Sequence, residues 1–157
     1  NGVGIVVSKL FHLVQPTRAY FGQKDLQQCL IVRRLIEDLS FPIELIIAST
    51  VREADGLAMS SRNRNLTPEE RALAPFIQAQ LQWANTALEA NTPIAQVKTN
   101  VRNAFAAQPA FRMEYFEIAD VETLLPLEAY QPNQPAALCM AVRLGKVRLI
   151  DNLLVNA

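Results

Sequence analysis

Apolar residues along this chain fall in short runs whose spacing changes from one segment to the next, and each change predicts a different element. Over Val3–Val14 the spacing predicts a helix, or a strand leading into one, with Val6, Leu10, Leu13 and Val14 as its inward stripe. Pro16 ends it. Ala19–Phe21 is a brief apolar run that predicts a buried strand, and Gly22-Gln23-Lys24-Asp25 is a polar turn. Helical spacing resumes over Leu26–Leu39, where Leu26 and Leu30 mark successive turns and Ile31, Leu35 and Leu39 extend the apolar side. Ile43–Ala48 is almost continuously apolar, the pattern of a strand buried on both faces. Residues 19–48 thus read strand, helix, strand, the rhythm of a parallel sheet.

Beyond the Asp55-Gly56 turn signal, residues 60–65 are polar and Arg-rich. Thr67-Pro68-Glu69-Glu70 then reads as an N-cap, a proline at the first helical position and a capping-box glutamate. A long helix is predicted over residues 68–90, with Leu73, Ile77, Leu81, Ala84 and Leu88 inward and a bend at Pro75. Pro93–Ala107 predicts a second helix on Ile94, Val97, Val101 and Phe105. Phe111–Ala119, Ala136–Leu144 and Val147–Ile150 read as strands, the last two joined as a hairpin by Gly145-Lys146. The change of texture places a boundary near residues 60–66, between a first region that resembles part of a nucleotide-handling α/β domain and a small α+β domain.

Composition narrows the classes. A 157-residue chain that is 50% hydrophobic has material for one core, or for a main unit with a small partner. Fifteen Lys+Arg balance fifteen Asp+Glu, which argues against a strong electrostatic grip on nucleic acid or an anionic membrane. Arg62 and Arg64 form only a short basic patch, without zinc-ligand spacing or an aromatic ladder. No apolar run approaches the roughly 18 to 20 residues that cross a bilayer, so a cytoplasmic location is expected. Asn1-Gly2-Val3-Gly4 is neither an initiating Met nor a secretory leader, and suggests residues upstream. Cys29 and Cys139 lack CxxC spacing and are expected as reduced core thiols.

Two segments carry candidate chemistry. Gly22-Gln23-Lys24-Asp25-Leu26-Gln27-Gln28 sits where a buried strand hands over to a helix, a place where glycine permits close approach and free amides receive anions. Lys24 offers charge to phosphate, Asp25 an acceptor for a ribose or another donor, and Gln28 an amide. Neither GxGxxG nor a P-loop is present, so an ordinary polar turn fits the same residues. In Asp55-Gly56-Leu57-Ala58-Met59-Ser60-Ser61-Arg62-Asn63, two hydroxyls stand beside a guanidinium, a combination that clamps phosphate oxygens. Leu57 and Met59 are the expected apolar anchors of that loop. A solvated linker is the bland alternative.

Together, Phe21–Gln28 and Val51–Asn63, with the Thr67-Pro68 helix start and the terminal Ala141–Asp151 hairpin, resemble the pantothenate synthetase family over essentially the whole chain. The resemblance implies the end of a Rossmann-like ATP- and pantoate-binding domain over residues 1–62, followed over residues 63–157 by a small domain of helices and an antiparallel sheet. It implies an ATP-dependent ligase that joins pantoate to β-alanine through pantoyl adenylate, releasing AMP and pyrophosphate, with Mg²⁺ accompanying ATP. By position, Gly22, Gln23, Lys24 and Asp25 match the ATP-contacting stretch and Gln28 a pantoate contact. Val51 matches a nucleotide contact made through the backbone, and Met59, Ser60, Ser61 and Arg62 match the mobile ATP-binding signature. A homodimer of the longer parent is compatible with this picture.

The family also carries an upstream HxGH-type signature with a catalytic histidine. His12, the only histidine, lies in Lys9-Leu10-Phe11-His12-Leu13-Val14 without the required glycine and second histidine, and is expected to be structural. No catalytic or metal-binding residue is therefore assigned. The chain is expected to be the later portion of a longer enzyme, with little ligase activity alone. Another adenylate-forming or nucleotidyl-transfer enzyme, and a noncatalytic interaction or folding module, are the competing classes.

Overall fold

Two separate hydrophobic clusters organise the chain. The computed structural model describes residues 2–156, and it divides into compact units between Thr50 and Val51. That division lies upstream of the boundary expected at residues 62–63. Leu57 is buried in the second cluster, and Arg52 is tied to the C-terminal strand, so the Val51–Asn63 loop belongs structurally with the C-terminal unit.

In the first unit, helix α1 (Gly2–Val14) precedes strand β1 (Arg18–Gly22), helix α2 (Leu26–Asp38) and strand β2 (Glu44–Ala48). The strands pair in parallel, from Arg18 opposite Glu44 to Gly22 opposite Ala48, with α2 as the crossover that parallel pairing needs. Val7, Phe11, Ala19, Val32 and Ile43 form the core, and Phe11 meets Phe41 edge to face at 5.5 Å.

The faces of both helices differ from expectation. Val6, Leu10, Leu13 and Val14 are exposed, and Val7 and Phe11 point inward instead. Almost every side of α1 is apolar, so spacing alone does not select a face; packing of the bulky Phe11 does. On α2 the buried residues are Leu26, Cys29 and Val32, while Ile31 and Leu39 lie about half exposed. The strand expected to be buried on both faces also differs: Leu45, Ile46 and Ile47 of β2 are only partly covered. Among the described residues β2 has a single sheet neighbour, β1.

In the second unit, the expected long helix is two. Helix α3 (Pro68–Leu73) starts on a complete capping box: Thr67 Oγ1 accepts from the Glu70 amide at 3.2 Å, and Glu70 Oε2 from the Thr67 amide at 2.9 Å. Ala74 and Pro75 interrupt it before α4 (Phe76–Glu89), because proline cannot donate into the ladder. Ile77, Leu81, Ala84 and Leu88 are fully buried as predicted, but Leu73, before the break, is not. Helix α5 (Ile94–Ala106) buries all four predicted residues.

Strands β3 (Phe111–Asp120), β4 (Ala136–Leu144) and β5 (Val147–Val155) form an antiparallel sheet in that order. Gly145, at φ +56°, makes the tight turn between the last two, as its residue type predicts. Strand β5 runs past Ile150 to Val155, through the buried polar pair Asp151-Asn152. These residues look like a strand terminator, yet they persist in the sheet because Arg52 supplies hydrogen bonds to Asp151 and to the Asn152 carbonyl.

Candidate functional site

The first unit gathers Gly22, Gln23, Lys24, Asp25 and Gln28 at the C-terminal end of β1, where parallel α/β sheets take their ligands. Gln23–Asp25 form a single 3₁₀ turn, and α2 begins at Leu26. Gly22 is exposed and extended (φ −81°, ψ 129°), and a β-carbon there would meet nothing within 4 Å. Its backbone does not require glycine; the missing side chain leaves the strand end open. Gln23, Lys24 and Gln28 are half-buried, and Asp25 is exposed. Cys29 Sγ donates to the Gly22 carbonyl at 3.3 Å and ties the first turn of α2 to the strand end. Burial, then the nearby Asp25 charge, pushes this thiol's pKa up.

The second unit holds Val51, Met59, Ser60, Ser61 and Arg62 on a closed loop. The Val51 carbonyl accepts from the Met59 amide at 2.9 Å, Arg52 and Ala58 bridge antiparallel, and the Glu53 amide donates to the Leu57 carbonyl at 2.8 Å. Gly56, at φ +91°, turns the loop where a β-carbon would overlap Gln78 Oε1. Leu57 and Ala58 anchor it in the core. Met59 does not share that role; it is half exposed and faces a cavity. Ser60 Oγ then accepts from the Arg62 amide at 3.3 Å and starts the 3₁₀ turn Ser61–Asn65. Asn63 Nδ2 donates to the Ala58 carbonyl at 3.1 Å, while Asn63 Oδ1 is buried with no hydrogen-bond partner.

This leaves Ser61 and Arg62 exposed on a turn fixed from behind. A cavity of about 620 Å³ opens beside it, lined by Glu53, Met59, Ser60, Ser61, Asn63, Arg64 and Arg71. Arg62 is not in the lining. Arg71, on α3, donates to Asp55 Oδ2 at 2.6 Å, and that bond holds the Asp55 carboxyl below its usual pKa. Arg71 and Asp151 lie outside the sequence motifs, and only folding brings them to this loop.

His12 lies on α1. It is exposed, with Nδ1 2.9 Å from the Ser8 carbonyl oxygen and its ring edge-on to Phe41 at 4.9 Å. Cys29 and Cys139 are free and buried. Among the described residues no group of three or more His, Cys, Asp or Glu is placed to hold a metal ion, and no helix is long and apolar enough to cross a membrane.

The family model described as pantoate-beta-alanine ligase matches residues 1–154. The chain belongs to the pantoate–β-alanine ligase family. It is 46% identical over 156 residues to a pantothenate synthetase of Herpetosiphon aurantiacus, covering 99% of this chain and 56% of that one. The crystal structure of a pantothenate synthetase from Thermus thermophilus superposes with a TM-score of 0.89 at 46% identity, over 97% of this chain and 54% of that one. That of a pantoate-beta-alanine ligase from Francisella tularensis, complexed with beta-gamma ATP and beta-alanine, gives 0.69 at 27% identity, over 98% and 49%. The chain thus spans about half the length of the curated relatives it matches. Its mixed architecture, a parallel Rossmann-like pair followed by helices and an antiparallel sheet, is that of this ligase family.

Proposed function

We propose that the protein carrying this chain condenses pantoate with β-alanine at the expense of ATP. A pantoate carboxylate oxygen attacks the α-phosphorus, the bond to the β-phosphate breaks, and pyrophosphate leaves. The β-alanine amine then attacks the acyl carbon of pantoyl adenylate; the acyl–oxygen bond breaks, AMP departs and the amine loses a proton. In this reading Gly22–Asp25 line the nucleotide, and Lys24 offsets phosphate charge. The Gln28 amide orients pantoate, and the backbone at Val51 borders the nucleotide. Met59, Ser60, Ser61 and Arg62 close on the phosphates, the last three as hydroxyl and guanidinium donors. Mg²⁺ enters with ATP as part of the substrate, and no side chain of this chain is assigned to it. A cytoplasmic homodimer of the full-length parent is compatible with this reading.

The family match along residues 1–154 carries the reading, because it takes in both the strand-end segment and the Ser-Ser-Arg turn. These residues include no acid or base assigned to proton transfer, so the 157 residues alone are expected to ligate little. The test is AMP release by the full-length protein given ATP, pantoate and β-alanine, with pyrophosphate exchange into ATP requiring pantoate only. Lys24→Ala weakens ATP binding. Exchange driven by a different carboxylate, with none from pantoate, would replace this reading with that of another adenylate-forming enzyme.

A further inference from the structure

We infer that Asp151, a β5 residue outside both nucleotide segments, is a positioning residue for ATP that acts through Arg52, an inference that rests on the ATP-dependent reading above. Arg52 stands between two proposed nucleotide contacts. Val51 precedes it on one arm of the loop, and its bridge partner Ala58 precedes Met59 on the other. The Met59 amide donates to the Val51 carbonyl across the same arms, so a shift of Arg52 moves both contacts together. Val51 and Met59 are themselves exposed, and neither is held by burial.

The acceptors of the Arg52 guanidinium are both carboxylate oxygens of Asp151, the Asn152 carbonyl and the Gly56 carbonyl. All but the last belong to β5, whose Leu149 and Val155 lie in the larger core. Asp151 is fixed in turn, because its Oδ1 also accepts from the Asn152 amide at 2.8 Å. A buried ion pair contributes little net stability, since desolvation offsets most of the attraction. The loop is also attached without it, through buried Leu57 and Ala58. What the two-pronged contact adds is direction, because a planar fork meets a carboxylate in one orientation. It sets Val51 and Met59 in place before the nucleotide arrives, which lowers the ordering cost of binding.

The experiment uses the full-length protein and compares wild type, Asp151→Asn and the double variant Arg52→Met with Asp151→Leu. Thermal unfolding, ATP affinity by calorimetry, and kcat and KM for ligation are measured on each. Both variants are expected to bind ATP about ten-fold more weakly, as when a pre-set loop must be ordered on binding. Each should raise KM for ATP and leave KM for pantoate unchanged. The double variant should do so although it unfolds closer to the wild-type temperature. A role in stability alone gives a different pattern: an unfolded fraction lowers kcat without moving KM, and ATP affinity recovers with stability in the double variant. That pattern, or wild-type ATP affinity in both variants, would overturn the inference. A folded wild-type protein that binds no ATP would instead remove the ATP-dependent reading itself.

Discussion

Arg52 and Asp151, 99 residues apart in sequence, meet in a two-pronged ion pair, Nη1 to Oδ2 at 2.7 Å and Nη2 to Oδ1 at 3.0 Å. The same guanidinium donates to the Gly56 carbonyl at 3.1 Å and to the Asn152 carbonyl at 3.3 Å. One side chain therefore closes the Val51–Met59 loop on itself and fastens it to β5. Asp151 is only 4% exposed, so removing Arg52 strands a buried carboxylate. Arg52→Ala is expected to destabilise the second unit by about 3–5 kcal/mol. The paired change Arg52→Met with Asp151→Leu should cost less, because it removes both charges together. Urea unfolding followed by fluorescence of Trp83, the only tryptophan, reads this unit. A double variant as unstable as the single one would show that the lost loop bonds, not the stranded charge, dominate.

Gly145 and Glu70 form a second dependence. A β-carbon at Gly145 would overlap Glu70 Oε1, while the other oxygen of that carboxylate closes the capping box on Thr67. Gly145→Ala thus adds left-handed backbone strain of roughly 1–2 kcal/mol and also threatens a cap worth about 1 kcal/mol. In a Glu70→Ala background the overlap is gone and only the strain remains. The cost of Gly145→Ala should therefore be smaller there than in wild type, as measured by a double-mutant cycle on thermal unfolding. Identical costs in the two backgrounds would mean that Glu70 swings aside freely.

Which features were legible in the residues depends on how local their causes are. Helix α5 alternates apolar and polar faces cleanly, and all four of its predicted core residues are buried. Helix α1 lacks a polar face, so its spacing allowed several stripes, and only the Phe11–Phe41 packing decides among them. The Ser-Ser-Arg turn could be recognised because its residues are adjacent. Arg71 could not, since its pairing with Asp55 exists only in the folded chain. Asp151-Asn152 read as the end of a strand because nothing nearby announces a partner as distant as Arg52.

The two thiols are expected to be inert in the folded protein. Burial, reinforced by the Glu117 charge, pushes Cys139 up to about 11, and burial together with Asp25 also raises Cys29. At pH 8 the Cys139 thiolate is then about one part in a thousand, and the thiolate is the reactive form. Native protein should show no rapid labelling by an aromatic disulfide reagent at pH 8, whereas urea should release both thiols. Rapid labelling of one equivalent without denaturant would contradict the burial of at least one.

Asp55 joins the turn of the Val51–Met59 loop to α3 through Arg71, and its pKa is lowered first by that hydrogen bond. A carboxyl more acidic in the folded state than in the unfolded chain contributes stability above its ordinary pKa. That contribution is lost as pH falls through the lowered folded value. Wild type should therefore exceed Asp55→Asn in thermal stability near neutrality, with the gap closing below about pH 4. Glu114, held down by Arg148 and Arg143, and Asp120, held down by Thr123, titrate in the same direction in both proteins, so the difference isolates Asp55. Because the pair is solvent-exposed, salt should narrow the neutral-pH gap as well. A gap that persists undiminished to pH 3 would show that the ion pair with Arg71 is not its source.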